Sequence, residues 1–247
     1  MLSFGIKFSR LKIILLLALM ALLGACATMD IASFETAETV ARGKGLILMG
    51  TGNGFNLNYP TGLSHYDDGH TLVGTGLSPW VTTGSLGIGL GKQFELSGRI
   101  HLLSTTWGIK ATLKKQLFET IDGYSMAILA GGTATSYGGP SGPVLSGKAH
   151  ETHYVSDEYD SYGTELQLIG SKRWNPTLIT SLIAKGNSTM RKAEINERIY
   201  HGGIRVNLKA GTQQLNIIPE LGMDFYLDKN DKPVLTHRFA IGLSMQY

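Results

Sequence analysis

A single cysteine, Cys26, stands in the 247 residues, so no disulfide can close within one chain. Charged residues make up only 17% and prolines number seven. So little charge excludes a solvated, disordered chain, which needs charge in place of apolar residues. The signal-like apolar run Ile13–Leu23 stops at eleven residues, whereas a membrane-spanning helix needs roughly 20. Nucleotide-binding spacing is also missing. Gly50-Thr51-Gly52-Asn53-Gly54 and Gly87-Ile88-Gly89-Leu90-Gly91-Lys92 match neither a phosphate loop nor a dinucleotide fingerprint. His150-Glu151-Thr152-His153 is one residue short of the zinc pattern HExxH, so its histidines cannot share one helix face. It reads as a solvated loop, as do His65, Asp67, Asp68 and His70, and neither a metal site nor a cofactor is expected.

The chain opens instead on a targeting segment. Lys7, Arg10 and Lys12 precede the apolar run, which ends in Leu23-Gly24-Ala25-Cys26. That ending resembles the lipobox of bacterial lipoproteins, in which small residues precede a cysteine that is acylated and becomes the mature N-terminus. Ala25-Cys26-Ala27 also fits an ordinary small-x-small cleavage site. The isolation of Cys26 and the small pair Gly24-Ala25 favour the lipid. Ala27 follows where the resemblance would put Asp for inner-membrane retention, which implies transfer to the outer membrane. Residues 1–25 are thus expected to be a signal peptide and 26–42 a lipid-anchored periplasmic tether. The three cations leave with the signal, and what remains carries 19 basic and 19 acidic residues. A balanced chain gives no reason to expect nucleic acid as a partner.

The other end carries the clearest periodicity. Phe239, Ile241, Leu243, Met245 and Tyr247 are apolar, while Ala240, Gly242, Ser244 and Gln246 are small or polar. Strict alternation marks a strand with two different environments. The same period recurs at Phe94–Leu103, Trp107–Lys114, Ile204–Lys209 and Glu220–Leu227. The pattern predicts roughly ten strands, within eight to twelve: 43–53, 80–91, 94–103, 106–115, 123–136, 159–172, 177–186, 195–208, 213–227 and 233–247. Short turns are expected together on one side, at Gly91–Gln93, Leu117–Gly123, Trp174–Pro176, Ala210–Thr212 and Asp228–Asp231. The long connections 54–79 and 137–158 then fall on the other. Phe94, Phe118, Trp174 and Tyr247 would ring one end, and Trp80, Trp107 and Tyr137 the other, as interfacial girdles.

Alternation alone suits a soluble sandwich and a membrane barrel equally; the two termini separate them. The closing residues 239–247, with a terminal aromatic, resemble the C-terminal assembly signal of outer-membrane β-barrel proteins. Together with residues 7–27 they make the chain similar to the small bacterial outer-membrane β-barrel family. The resemblance implies an all-β, antiparallel up-and-down barrel over 43–247, located in the outer membrane. Its expected partners are outer-membrane lipids and, during biogenesis, the barrel-assembly and lipoprotein-export machineries.

On that register Glu95, Arg99, Lys110, Glu165, Arg205, Glu220 and Asp224 point into the lumen, with His101 and Lys114. Charges packed in a narrow lumen should pair, since an unpaired buried charge costs several kcal/mol. Glu220 and Asp224 are expected to meet cations such as Arg99 or Arg205. The reading is a largely plugged, non-enzymatic barrel with a structural or surface-interaction role. A narrow channel for small polar solutes is the alternative. A lipid-modifying enzyme is the third reading, with His153 and Ser156 in a loop as its available pair but no catalytic signature.

Overall fold

The computed structural model describes residues 32–53, 80–103, 106–137, 143–145, 152–154, 159–192, 197–212, 214–227 and 233–247. The strands are β1 (Gly45–Asn53), β2 (Trp80–Gly91), β3 (Phe94–Leu103), β4 (Thr106–Glu119), β5 (Tyr124–Tyr137), β6 (Pro143–Leu145), β7 (Thr152–Tyr154), β8 (Tyr159–Asn175), β9 (Leu178–Lys192), β10 (Glu197–Gly211), β11 (Leu215–Leu227) and β12 (Pro233–Gln246). β6 and β7 pair only with each other; the remaining ten close a barrel in the order β1-β12-β11-β10-β9-β8-β5-β4-β3-β2. Neighbours are antiparallel, and closure is made where Gly50 of β1 faces Gly242 of β12 on one side and Thr83 of β2 on the other. Ten strands is the number the alternation predicts.

The period-two code sets which side each residue takes. Along β4, Trp107, Ile109 and Leu113 face outward and are exposed, whereas Lys110, Thr112, Lys114 and Gln116 are buried within. In β10, Ile204 and Val206 face out while Arg205 and Asn207 face in. Leu86, Leu96, Ile100, Leu168, Leu182, Leu221 and Phe225 extend the apolar exterior around the wall. Apolar outside and charged inside is the reverse of a water-soluble barrel. Such a wall suits lipid, and the closed ladder leaves no unpaired strand edge to it. This distribution separates the barrel from a sandwich, which sequence alternation could not do.

Short connections at one end are tightly built. Gly91, Lys92 and Gln93 all have positive φ (85°, 50° and 66°), which turns β2 into β3 within two residues. Gly123 (φ 80°) ends the β4–β5 turn, and its carbonyl accepts from the Arg173 amide at 2.8 Å. The β8–β9 and β10–β11 turns lie at this end too, as do the start of β1 and Tyr247. The connection 228–232 belongs to the opposite end, a correction to the turn grouping above: β11 runs away from the short-turn end, so its link to β12 must lie at the far rim. Its residues lie outside those described, as do 54–79 and most of 138–158, where His65, Asp67, Asp68, His70 and His150–Glu151 fall.

β8 and β9 run further than the alternation suggested, to Asn175 and Lys192. The polar stretch Gly186–Lys192 hides its own period. Pairing with β8 and β10 nevertheless holds it in the ladder, with Thr189 buried and Met190 outside. Tertiary partners here overrule a weak local pattern.

Candidate functional site

The lumen is the place where chemistry-bearing side chains converge. Residues 32–42, taken from the sequence as part of a tether, lie inside it. The segment enters at the short-turn end, where Gly43 N donates to Gly89 O at 2.9 Å and Arg42 bridges to Gly89. A Cβ on Gly89 would sit 2.2 Å from the carbonyl oxygens of Val40 and Ala41, so only glycine allows this passage. Ala32, Ser33, Phe34, Ala37 and Val40 are buried. Residues 26–31, with Cys26, lie outside the described chain.

An irregular segment buried in a barrel must find partners for its backbone, and the wall supplies them. The Glu220 carboxylate accepts from Ser33 N at 2.8 Å and from Phe34 N at 2.7 Å. Ala37 N donates to Ser171 Oγ (2.8 Å), Thr39 N to Gln116 Oε1 (3.1 Å) and Val40 N to Glu95 Oε2 (2.9 Å). In return, Arg99 donates to the carbonyls of Ala32 and Ser33, and Asn207 Nδ2 to that of Glu35. The Glu35 side chain sits between Lys114 (3.1 Å) and Arg99 (3.4 Å). Nearer the mouth, Glu38 pairs with Arg173 at 2.6 Å.

Two apolar sockets in the wall receive apolar side chains of the segment. Phe34 packs with Leu48, Val81, Ile218 and Ala240. Its ring fills a notch made by the cross-strand pair Gly50 and Gly242, where an added Cβ would lie 2.4 Å and 2.9 Å from ring carbons. Ala37 packs with Ala127, Leu129, Ile169 and Ile183. The glycines in β1 and β12 thus serve a steric purpose, making room for an aromatic ring inside the barrel.

Beyond the segment, ion pairs continue across the lumen. Arg205 contacts Glu220 (3.3 Å) and Asp224 (2.9 Å), and Arg238 also contacts Asp224 (2.8 Å). Glu165 lies between Lys110 (2.5 Å) and Lys185 (3.2 Å) and accepts from Gln167 at 2.6 Å. Glu95 pairs with Lys114 at 3.1 Å. The structure therefore places Glu95, Arg99, Lys110, Glu165, Arg205, Glu220 and Asp224 on the inner wall, in three linked groups. Of the two cations expected to meet Glu220 and Asp224, Arg205 is the one that does, whereas Arg99 is held by Glu35 and the carbonyls of the inserted segment.

Sequence reasoning passed over Glu35, Lys185, Arg238, Gln167 and Asn207. Arg238 shares the parity of Ala240, and Lys185 that of Ser181, so period two could have found both. Glu35 lies in a stretch with no period and carried no such signal. Outside the barrel, Phe239, Ile241, Met245 and Tyr247 are exposed and Leu243 is half-buried, all on the outer side of β12. Phe118, Trp174 and Tyr124 are exposed near the short-turn end and Trp107 near the other. Among the described residues no group of His, Cys, Asp and Glu is arranged to hold a metal ion.

A polar cavity of about 480 Å³ opens at the short-turn end, lined by Glu38, Lys44, Arg173, Lys209, Asn216 and Gln246 among others. Glu38 and Ala41 of the inserted segment form part of its lining.

No protein-family model matches this chain, and no curated protein matches it. Among solved structures it is similar to the outer membrane protease OmpT from Escherichia coli, at 10% identity and a TM-score of 0.43, over 86% of this chain and 100% of that one. It is also similar to an outer membrane channel from Pseudomonas putida F1, at 11% identity and a TM-score of 0.41, over 88% of this chain and 100% of that one. The translocator domain of the autotransporter NalP from Neisseria meningitidis matches at 9% identity and a TM-score of 0.37, over 84% of this chain and 90% of that one.

Proposed function

We propose that this chain is an outer-membrane β-barrel lipoprotein with a structural or surface-interaction role, closed by its own residues 32–42. The observation that carries this reading is the clamp on the inserted segment: two successive amides, Ser33 and Phe34, on the Glu220 carboxylate, beneath a ring seated in the Gly50–Gly242 notch. A segment held by charged hydrogen bonds and an apolar socket is a plug. The reading puts the short-turn end toward the periplasm, as short turns in bacterial barrels do. Surrounding lipids are its standing partners; the assembly and lipoprotein-export machineries are transient ones. No catalytic step enters it.

Planar-bilayer recording tests the plug. The intact protein should show no conductance steps, and a variant lacking residues 32–42 should conduct small ions. The mouth cavity, lined in part by Glu38 and Ala41 of the segment, favours a second reading, a narrow channel for small polar solutes whose gate is the same segment. Steady conductance of the unaltered protein would decide for the channel and against the plug.

The anchor has its own test. Wild-type cells fed labelled palmitate should label this protein, and Cys26→Ser should abolish the label while leaving a larger precursor or a cut after Ala27. Equal labelling of the two proteins would sink the lipobox reading.

A further inference from the structure

Outside the barrel near the short-turn end, Lys172 of β8 is held over two aromatic faces. Its Nζ lies 3.8 Å from the centre of the Tyr124 ring and 5.7 Å from that of Trp174, and it donates to the Asp122 carbonyl at 2.5 Å. The Trp174 indole is fixed by its own bond to Thr180 Oγ1 at 3.0 Å. Among the described residues no carboxylate pairs with Lys172. Its contacts are π faces and a carbonyl, which hold a cation without neutralising it.

Below this collar, toward the middle of the wall, Gly170 follows Lys172 on the same outer face. The space where its Cβ would stand is open to 4 Å. Met126 and Leu182 flank Gly170 on the neighbouring strands, and exposed Leu168 and Ile128 continue the surface inward. A cation in an aromatic collar above an apolar channel floored by glycine has the outline of a headgroup site with its acyl chain. Lys44, Lys92 and Lys115 are also exposed on this rim, together with the acidic Glu119 and Asp122, and Lys115 sits 4.4 Å over the Phe94 ring.

We propose that Lys172, held in place by the Tyr124 and Trp174 rings, binds the phosphate of an anionic glycerophospholipid, whose acyl chain lies along Gly170. The proposal rests on the membrane reading, and on the periplasm-facing placement of the short turns, which selects glycerophospholipid as the source of the phosphate. An interfacial lysine facing an anionic lipid surface gains about 1 kcal/mol, equivalent to roughly fivefold in relative binding.

The test uses the full chain in bilayer discs made from equal parts phosphatidylglycerol and phosphatidylcholine, with lipids retained on the released protein counted by native mass spectrometry. Wild type should retain phosphatidylglycerol over phosphatidylcholine by about fivefold. Lys172→Gln should bring that ratio close to one, Lys172→Arg should keep it, and Lys115→Gln should leave it largely in place. Equal retention of both lipids by wild type, or a preference that survives Lys172→Gln, overturns the site. Failure of the protein to enter bilayers at all would instead strike the membrane reading, so the two failures are distinguishable.

Discussion

Deleting Tyr247 should leave little folded barrel in the outer membrane, and Leu243→Arg should lower the amount sharply. Tyr247 stands at the closing seam: its amide and carbonyl exchange bonds with Gly45 at 3.1 Å and 3.0 Å. Its ring lies over Gly45, so close that a Cβ there would be 2.2 Å away. Removing the residue takes away two ladder bonds where the first and last strands meet, together with the terminal aromatic that resembles the assembly signal. Leu243 faces outward between Met49 of β1 and Ile217 of β11. A cation there costs about 2–4 kcal/mol near the membrane midplane. Gln246, which lines the polar mouth, should accept lysine almost without effect. The readout is the heat-modifiable, compact band in outer-membrane fractions. Wild-type amounts from both the deletion and Leu243→Arg would show that β12 does not face lipid.

Glu220→Leu should be the most destabilising change inside the barrel, at about 3–5 kcal/mol, the range for removing one partner of a buried ion pair. The carboxylate serves the Arg205 guanidinium and the amides of Ser33 and Phe34 at once. Leucine would leave both amides of the plug without an acceptor in a closed lumen. Ser97→Leu is the control: Ser97 shares one hydroxyl contact with Thr112 at 2.6 Å and touches no charge. Replacing Arg205 with leucine as well should recover part of the loss, because Arg205 has by then lost one of its two carboxylates and Asp224 keeps Arg238. Thermal unfolding followed by the gel shift measures all three. Identical midpoints for Glu220→Leu and wild type would mean that this carboxylate clamps nothing. A lowered midpoint accompanied by new bilayer conductance would tie the clamp directly to closure.

Much of the barrel was legible in the residues because a strand writes its environment locally. Phe239 to Tyr247 alternates without a break, and so do Trp107 to Lys114 and Ile204 to Lys209; parity alone assigned each side chain to the wall or the lumen. Seven inner charges followed from that parity, and so did the strand number. Gly186–Lys192 was harder, since polar residues occupied both faces there and only the partners on β8 and β10 revealed the strand. Which of Arg99 and Arg205 meets Glu220 and Asp224 was open for a related reason. Parity tells which side a residue faces but not which of several opposite charges across a closed lumen it will reach.

The amino-acid sequence by itself determined the alternation, a strand number of eight to twelve centred on ten, and the sidedness of the clearly alternating strands, because period two is a property of neighbouring residues in one chain. It also spelled out the signal-like N-terminus and the aromatic C-terminus. Only the tertiary structure decided that residues 32–42 fill the lumen. That segment has no period, and its amides are satisfied by Glu220, Ser171, Gln116 and Glu95, which lie far along the chain. The glycine notch for Phe34 exists only because barrel closure sets Gly50 beside Gly242. Contacts of this kind are made by closing the sheet, and no local pattern of residues encodes them.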